Sequence, residues 1–197
     1  MVTCYFGLPG CGKSTMLAKI AARELKRIEK GKSKYKRVFC NYYIKGCLKL
    51  SFSDLGVYDV SDSLILLDEI TLDADSRNFK SFAETSKLFF ILHRKYCCDV
   101  IYVTQQYDAV DRKIRELTSD LYYMRRAGAI TYATRIYRRI AITCDGDIKM
   151  GYAFPSFMQI ITHPRYNLCF CLRRRYYKYF DSYQAPLLPD RRWQTYV

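Results

Sequence analysis

The 197 residues suffice for one α/β domain with its own hydrophobic core and are short for two. Half are hydrophobic and 16% aromatic, which excludes an intrinsically disordered chain. The formal charge of +14, from 33 Lys and Arg against 19 Asp and Glu, points to an acidic partner such as nucleic acid or an anionic membrane surface; a role in solubility is the alternative, and charge alone does not choose.

Nine cysteines lack the paired spacing of a zinc ribbon and read as reduced thiols of a cytosolic protein. No basic leader or cleavage site precedes the first apolar run. No apolar run approaches the roughly 18 to 20 residues that span a bilayer. The expectation is a cytoplasmic chain, soluble or peripheral at the inner face of the cell membrane.

In chain order, Val2 to Phe6 is a short apolar run feeding a glycine-rich turn, which predicts a first strand. Leu17, Ile20, Ala21, Leu25 and Ile28 keep helical spacing, predicting a helix over residues 13–28 that Gly31 ends. A basic connection leads to a strand over 38–44, and 46–60 carries mixed signals. Leu64-Ile65-Leu66-Leu67 is unbroken apolar, as in a strand covered on both faces of a parallel sheet. A helix is predicted over 79–96, its inner side formed by Phe82, Ala83, Phe89, Phe90 and His93. A central strand over 100–103 ends at Thr104-Gln105. Residues 108–117 read as a helix with Asp111 and Arg115 paired at i,i+4, and 121–124 as a strand. Beyond Ala129 the alternation predicts a β-hairpin turning at Asp145-Gly146, its second strand starting near Ile148. Pro186 and Pro189 mark a loose tail. The expected architecture is α/β: a mostly parallel sheet covered by helices over residues 1–126, a β-rich extension over 127–183, and a tail over 184–197.

Gly7-Leu8-Pro9-Gly10-Cys11-Gly12-Lys13-Ser14 has the spacing of a phosphate-binding loop, the Walker A motif. Its glycines let backbone amides turn inward around phosphate oxygens at a helix N-terminus. Lys13 supplies a mobile cation and Ser14 a magnesium ligand. The nucleotide-binding set is therefore Gly7, Gly10, Cys11, Gly12, Lys13, Ser14 and Thr15, and the ligands are ATP or GTP with Mg2+. A chance glycine-rich turn would lack the strand before it and the amphipathic helix after it.

Asp68-Glu69 closes the run 64–67 as a Walker B strand end. Asp68 is placed to hold magnesium beside Ser14, and Glu69 to polarise the attacking water. Alone, Asp-Glu after an apolar run is an ordinary solvated strand end; downstream of a complete phosphate loop it gains weight. Gln105 either lies between the two Walker strands and contacts the γ-phosphate or its water, or simply bonds a loop. Arg112, Arg115, Arg125 and Arg126 are candidates to reach a neighbouring subunit's nucleotide, each against the plainer reading of a surface charge.

Taken together, Pro-Gly in the loop, Leu66-Leu67-Asp68-Glu69-Ile70, Asp75-Ser76-Arg77-Asn78-Phe79-Lys80, and His93-Arg94 followed by residues 99–105 resemble the zonula occludens toxin (Zot) family, with Tyr176-Tyr177-Lys178-Tyr179-Phe180-Asp181-Ser182-Tyr183 similar to its domain end. These are assembly ATPases of filamentous phages, similar in core to the FtsK/HerA motor clan. The resemblance covers residues 2–126 best. It implies ATP hydrolysis by a ring or other homo-oligomer, extrusion of phage DNA through the inner membrane, and functional roles for Lys13, Ser14, Asp68, Glu69 and Gln105. Family members usually carry a membrane-spanning segment after this domain. None is present here, which implies docking on a membrane-embedded assembly partner, or a longer protein of which this is one domain.

The competing reading is a non-catalytic scaffold in which nucleotide only switches conformation; Glu69 favours the enzyme. A small-molecule kinase shares the loop but requires an arginine-rich lid that is not evident after residue 69. Single-stranded DNA is a candidate partner. Arg135, Arg138, Arg139, Arg165, Arg173-Arg174-Arg175 and Lys178 interleave with Tyr132, Tyr137, Tyr166, Tyr176, Tyr177 and Tyr179. Any half-exposed sheet produces the same alternation.

Overall fold

Where a strand is apolar on both faces it takes a central place in the sheet, and the strand order here follows that rule. A computed structural model describes residues 1–70, 84–142 and 148–181. Their strands are β1 (Val2–Phe6), β2 (Arg37–Cys40), β3 (Leu48–Lys49), β4 (Ser63–Leu67), β5 (Asp99–Thr104), β6 (Asp120–Ala127), β7 (Ile130–Ile142), β8 (Ile148–Ala153) and β9 (Leu168–Leu172). Among the described residues they form a nine-stranded sheet ordered β3-β2-β4-β5-β1-β6-β7-β8, with β9 also on β7. The six strands from β3 to β6 are mutually parallel; the pairings of β7 with β6, β8 and β9 are antiparallel.

Helix α1 (Lys13–Glu29) covers one face and α2 (Glu84–Leu92) with α3 (Arg112–Leu117) the other. Successive strand side chains alternate between these layers. Leu64 and Leu66 of β4 pack with Met16, Leu17, Ala18 and Ala21 of α1, whereas Ile65 and Leu67 join Phe89 and Phe90 of α2. All five residues of β4 are buried. Short helices α4 (Phe157–Thr162) and α5 (Pro164–Asn167) lie between β8 and β9. No helix among the described residues is long and apolar enough to cross a membrane.

Expectation and structure differ at four places. β2 stops at Cys40: the Asn41 amide still donates to the Leu66 carbonyl at 3.3 Å, but its side chain turns to the Asp68 backbone. The predicted helix 108–117 is a 3₁₀ turn (Tyr107–Ala109) and then α3, since Asp111 caps α3 by accepting from the Lys113 amide; Arg115 pairs with Asp108 instead. β9, α4 and α5 had no distinct signature in the sequence. The helix expected over 79–96 ends at Leu92, while His93 just past it is buried as expected, its Nδ1 2.7 Å from the Phe90 carbonyl. The segments Asp75–Lys80, Phe82–Ala83, Asp145–Gly146 and the tail from Ser182 lie outside the described residues.

Candidate functional site

β1 ends at Phe6, and the chain then turns through Gly7 to Gly12 into the N-terminus of α1. Two glycines are required by close approach. A Cβ on Gly7 would lie 2.6 Å from the Met124 carbonyl oxygen. One on Gly12 would lie 2.3 Å from Thr131 Oγ1, and Gly12 has a φ of 95°, in the left-handed region. The Thr131 hydroxyl donates to the Cys11 carbonyl at 2.8 Å, so β7 holds the loop from outside. Lys13 is buried and its Nζ donates to the carbonyls of Gly7 (3.0 Å) and Leu8 (3.4 Å). Cys11 within the loop and Thr15 in the first turn of α1 are buried, and burial raises the Cys11 thiol pKa.

Two strands over from β1, β4 delivers Asp68 to the same edge. The Ser14 hydroxyl donates to Asp68 Oδ2 at 2.6 Å. Burial pushes the Asp68 carboxyl above its ordinary range, opposed by the Ser14 hydrogen bond. The Asn41 side chain grips the Asp68 backbone at both ends, donating to its carbonyl at 2.9 Å and accepting from its amide at 2.7 Å. Tyr42 donates to the Ser14 carbonyl at 2.9 Å. A hydroxyl and a carboxylate oxygen side by side are donors that would suit a hard cation such as Mg2+.

Glu69 has a φ of 45°, uncommon for a residue with a side chain, and such backbone outliers gather at functional sites. Its Oε1 accepts from the Gln105 amide at 3.4 Å. Because β5 separates β4 from β1, Gln105 stands between the two Walker strands. The structure therefore brings Lys13, Ser14, Asp68, Glu69 and Gln105 to one edge of the sheet. Asn41, Tyr42 and Thr131 escaped the sequence reading, which placed Asn41 and Tyr42 inside a strand over 38–44.

The arginines separate. Arg112 pairs with Glu116 and Arg115 with Asp108 on or beside α3. Arg125 and Arg126 line an open cavity of about 520 Å³ against the loop of their own subunit. In the C-terminal group, Arg135 is buried in an ion pair with Asp120, its guanidinium 3.7 Å from the Tyr166 ring centre. Arg138 is engaged by the Thr118 and Arg115 carbonyls and the Tyr107 hydroxyl. These two hold the fold. Arg173 is half-buried, with its Nε 3.5 Å from where a Gly12 Cβ would lie. Arg174, Arg175 and Lys178 are exposed.

Residues 4–152 match the sequence profile of the family described as Zonular occludens toxin (Zot). No curated protein sequence matches the chain. The N-terminal domain of zonular occludens toxin from Neisseria meningitidis superposes with a TM-score of 0.60 at 15% identity, covering 91% of this chain and 98% of that one. The genome packaging NTPase B204 from Sulfolobus turreted icosahedral virus 2, in complex with ATP-gammaS, gives 0.44 at 10% identity over 76% and 95%. With a P-loop NTPase fold and a family match over more than half of its length, this chain belongs to the zonular occludens toxin (Zot) family.

Proposed function

We propose that the chain binds ATP with Mg2+ and hydrolyses it, as an assembly or export motor of a filamentous phage or prophage that couples hydrolysis to virion assembly or DNA extrusion. The observation that carries this is the 2.6 Å contact between Ser14 and Asp68, with Glu69 against Gln105 at the same strand edge. Gly7, Gly10, Cys11, Gly12, Lys13, Ser14 and Thr15 cradle the phosphates, and Ser14 and Asp68 hold the metal. Glu69 polarises the attacking water and Gln105 positions it. Magnesium supplies charge neutralisation on the phosphates.

On this reading residues 1–183 are one functional domain, with 184–197 a tail, and the active form is a homo-oligomer. It works in the cytoplasm on a membrane-embedded assembly partner, with single-stranded DNA as the candidate cargo. Phosphate release by the purified chain tests the reading: turnover needs both ATP and Mg2+, and Lys13→Ala abolishes nucleotide binding. ATP binding without any turnover would instead favour the scaffold.

A further inference from the structure

The cavity beside the phosphate loop has a position that the polyphosphate itself explains. Asp68, Glu69 and Gln105 lie on the β4–β5 side of β1. A nucleoside triphosphate whose outermost phosphate meets those residues must leave the loop on the opposite side, toward β6. β6 runs parallel to β1 with Phe6 beside Tyr123, so residues 124–127 continue past the end of β1 and stand as a wall next to the loop. β7 returns antiparallel, placing Tyr132 opposite Arg125 and Thr131 opposite Arg126.

The wall is fixed to the loop at two points, the Gly7–Met124 approach and the Thr131–Cys11 hydrogen bond. Between wall and loop lies the cavity of about 520 Å³. Leu8 to Cys11 line one side, with Leu8 70% exposed; Tyr123, Arg125, Arg126 and Tyr132 line the other. The Arg125 guanidinium is itself held over the rings of Tyr123 (5.1 Å) and Phe154 (5.7 Å). An apolar lip, a tyrosine face and two cations suit a heteroaromatic base joined to a charged phosphate.

Resting on the reading of the loop as a phosphate cradle, we propose that this cavity is the nucleoside subsite: the base stacks on Tyr132, and Arg125 and Arg126 contact the ribose and the innermost phosphate. It follows that Arg125 and Arg126 serve the nucleotide of their own subunit.

Calorimetric titration of the full chain with ATP and with inorganic tripolyphosphate, both with Mg2+, separates base from phosphate. The wild type binds ATP more tightly than tripolyphosphate. Tyr132→Ala weakens ATP by about tenfold, the scale of one base–aromatic stack, and leaves tripolyphosphate unchanged, while Tyr132→Phe restores ATP binding. Arg125→Ala likewise weakens ATP more than tripolyphosphate. Equal affinity of the wild type for the two ligands, or equal loss of both in Tyr132→Ala, overturns the subsite while leaving the phosphate cradle standing. Binding of neither ligand by the wild type overturns the cradle, and the subsite with it.

Discussion

On the proposed reading, Asp68 occupies a position that costs stability for the sake of a ligand. Its carboxyl pKa is raised by burial, so the folded state holds that proton more tightly than the unfolded chain does. Between the unfolded value, near 3.9, and the raised folded value, stability falls as pH rises. Asp68→Asn keeps an acceptor for Ser14 and removes the charge. In chelator at neutral pH the variant therefore melts at the same or a higher temperature than wild type by calorimetry. Adding Mg2+ and ATP raises the wild-type melting temperature and leaves the variant nearly unmoved. A variant that melts well below wild type in chelator contradicts this account. At Gly12 the constraint is steric and conformational together, with the Thr131 hydroxyl 2.3 Å from a Cβ and a φ of 95°. Gly12→Ala is expected to lose ATP binding in a titration. Adding Thr131→Ala does not restore it, because the left-handed backbone still costs about 1–2 kcal/mol.

At the scale of elements, the end of β2 acts as a support for the end of β4. Asn41→Ala leaves the part-buried Asp68 amide and carbonyl without their partners, a loss toward the lower end of the about 1–3 kcal/mol that each buried unsatisfied group costs. Urea unfolding is expected to show a lower midpoint with an unchanged slope, together with a higher Mg2+ requirement for ATP binding. The same residue shows where sequence reading stops. β1, β4 and β5 were legible as short apolar runs, the mark of strands covered on both faces, and α1 by its 3.6-residue period. The stop at Cys40 was not, since Asn41 is diverted by a residue 27 positions away. Asp111 fits a helix interior by spacing, yet its side chain takes the Lys113 amide and starts α3 afresh. Lys13, Ser14, Asp68 and Glu69 were recognisable from local motifs. Asn41, Tyr42, Thr131 and the lining of the nucleoside cavity come together only through the sheet order.

On the whole molecule the positive charge divides by role. Alternation of arginine and tyrosine in the last third carried no sign that Arg135 and Arg138 would be consumed by Asp120 and by backbone carbonyls. Among the described side chains of that group, Arg174, Arg175 and Lys178 are exposed; Arg175 and Lys178 join Arg23 and Lys26 of α1 around a cavity of about 270 Å³ with Tyr176 and Tyr179. If single-stranded DNA is the cargo, its affinity falls with salt at a log–log slope of about −0.7 per phosphate contacted. Replacing Arg174, Arg175 and Lys178 together by alanine flattens that slope in fluorescence anisotropy and leaves ATP affinity intact; an unchanged slope places the DNA elsewhere. Self-association bears on turnover, since an arginine from a neighbouring subunit is worth roughly 10³–10⁵ in rate where it operates. Turnover per subunit is then expected to rise with protein concentration, and a full rate from a strict monomer by light scattering contradicts it. The most direct test of the central claim is steady-state phosphate release from Mg2+-ATP by wild type and by Glu69→Gln, measured beside their ATP affinities. Glu69→Gln is expected to bind ATP as wild type does while its turnover falls by about 10²-fold or more; equal turnover in the two proteins would rule out Glu69 as the group that activates the water.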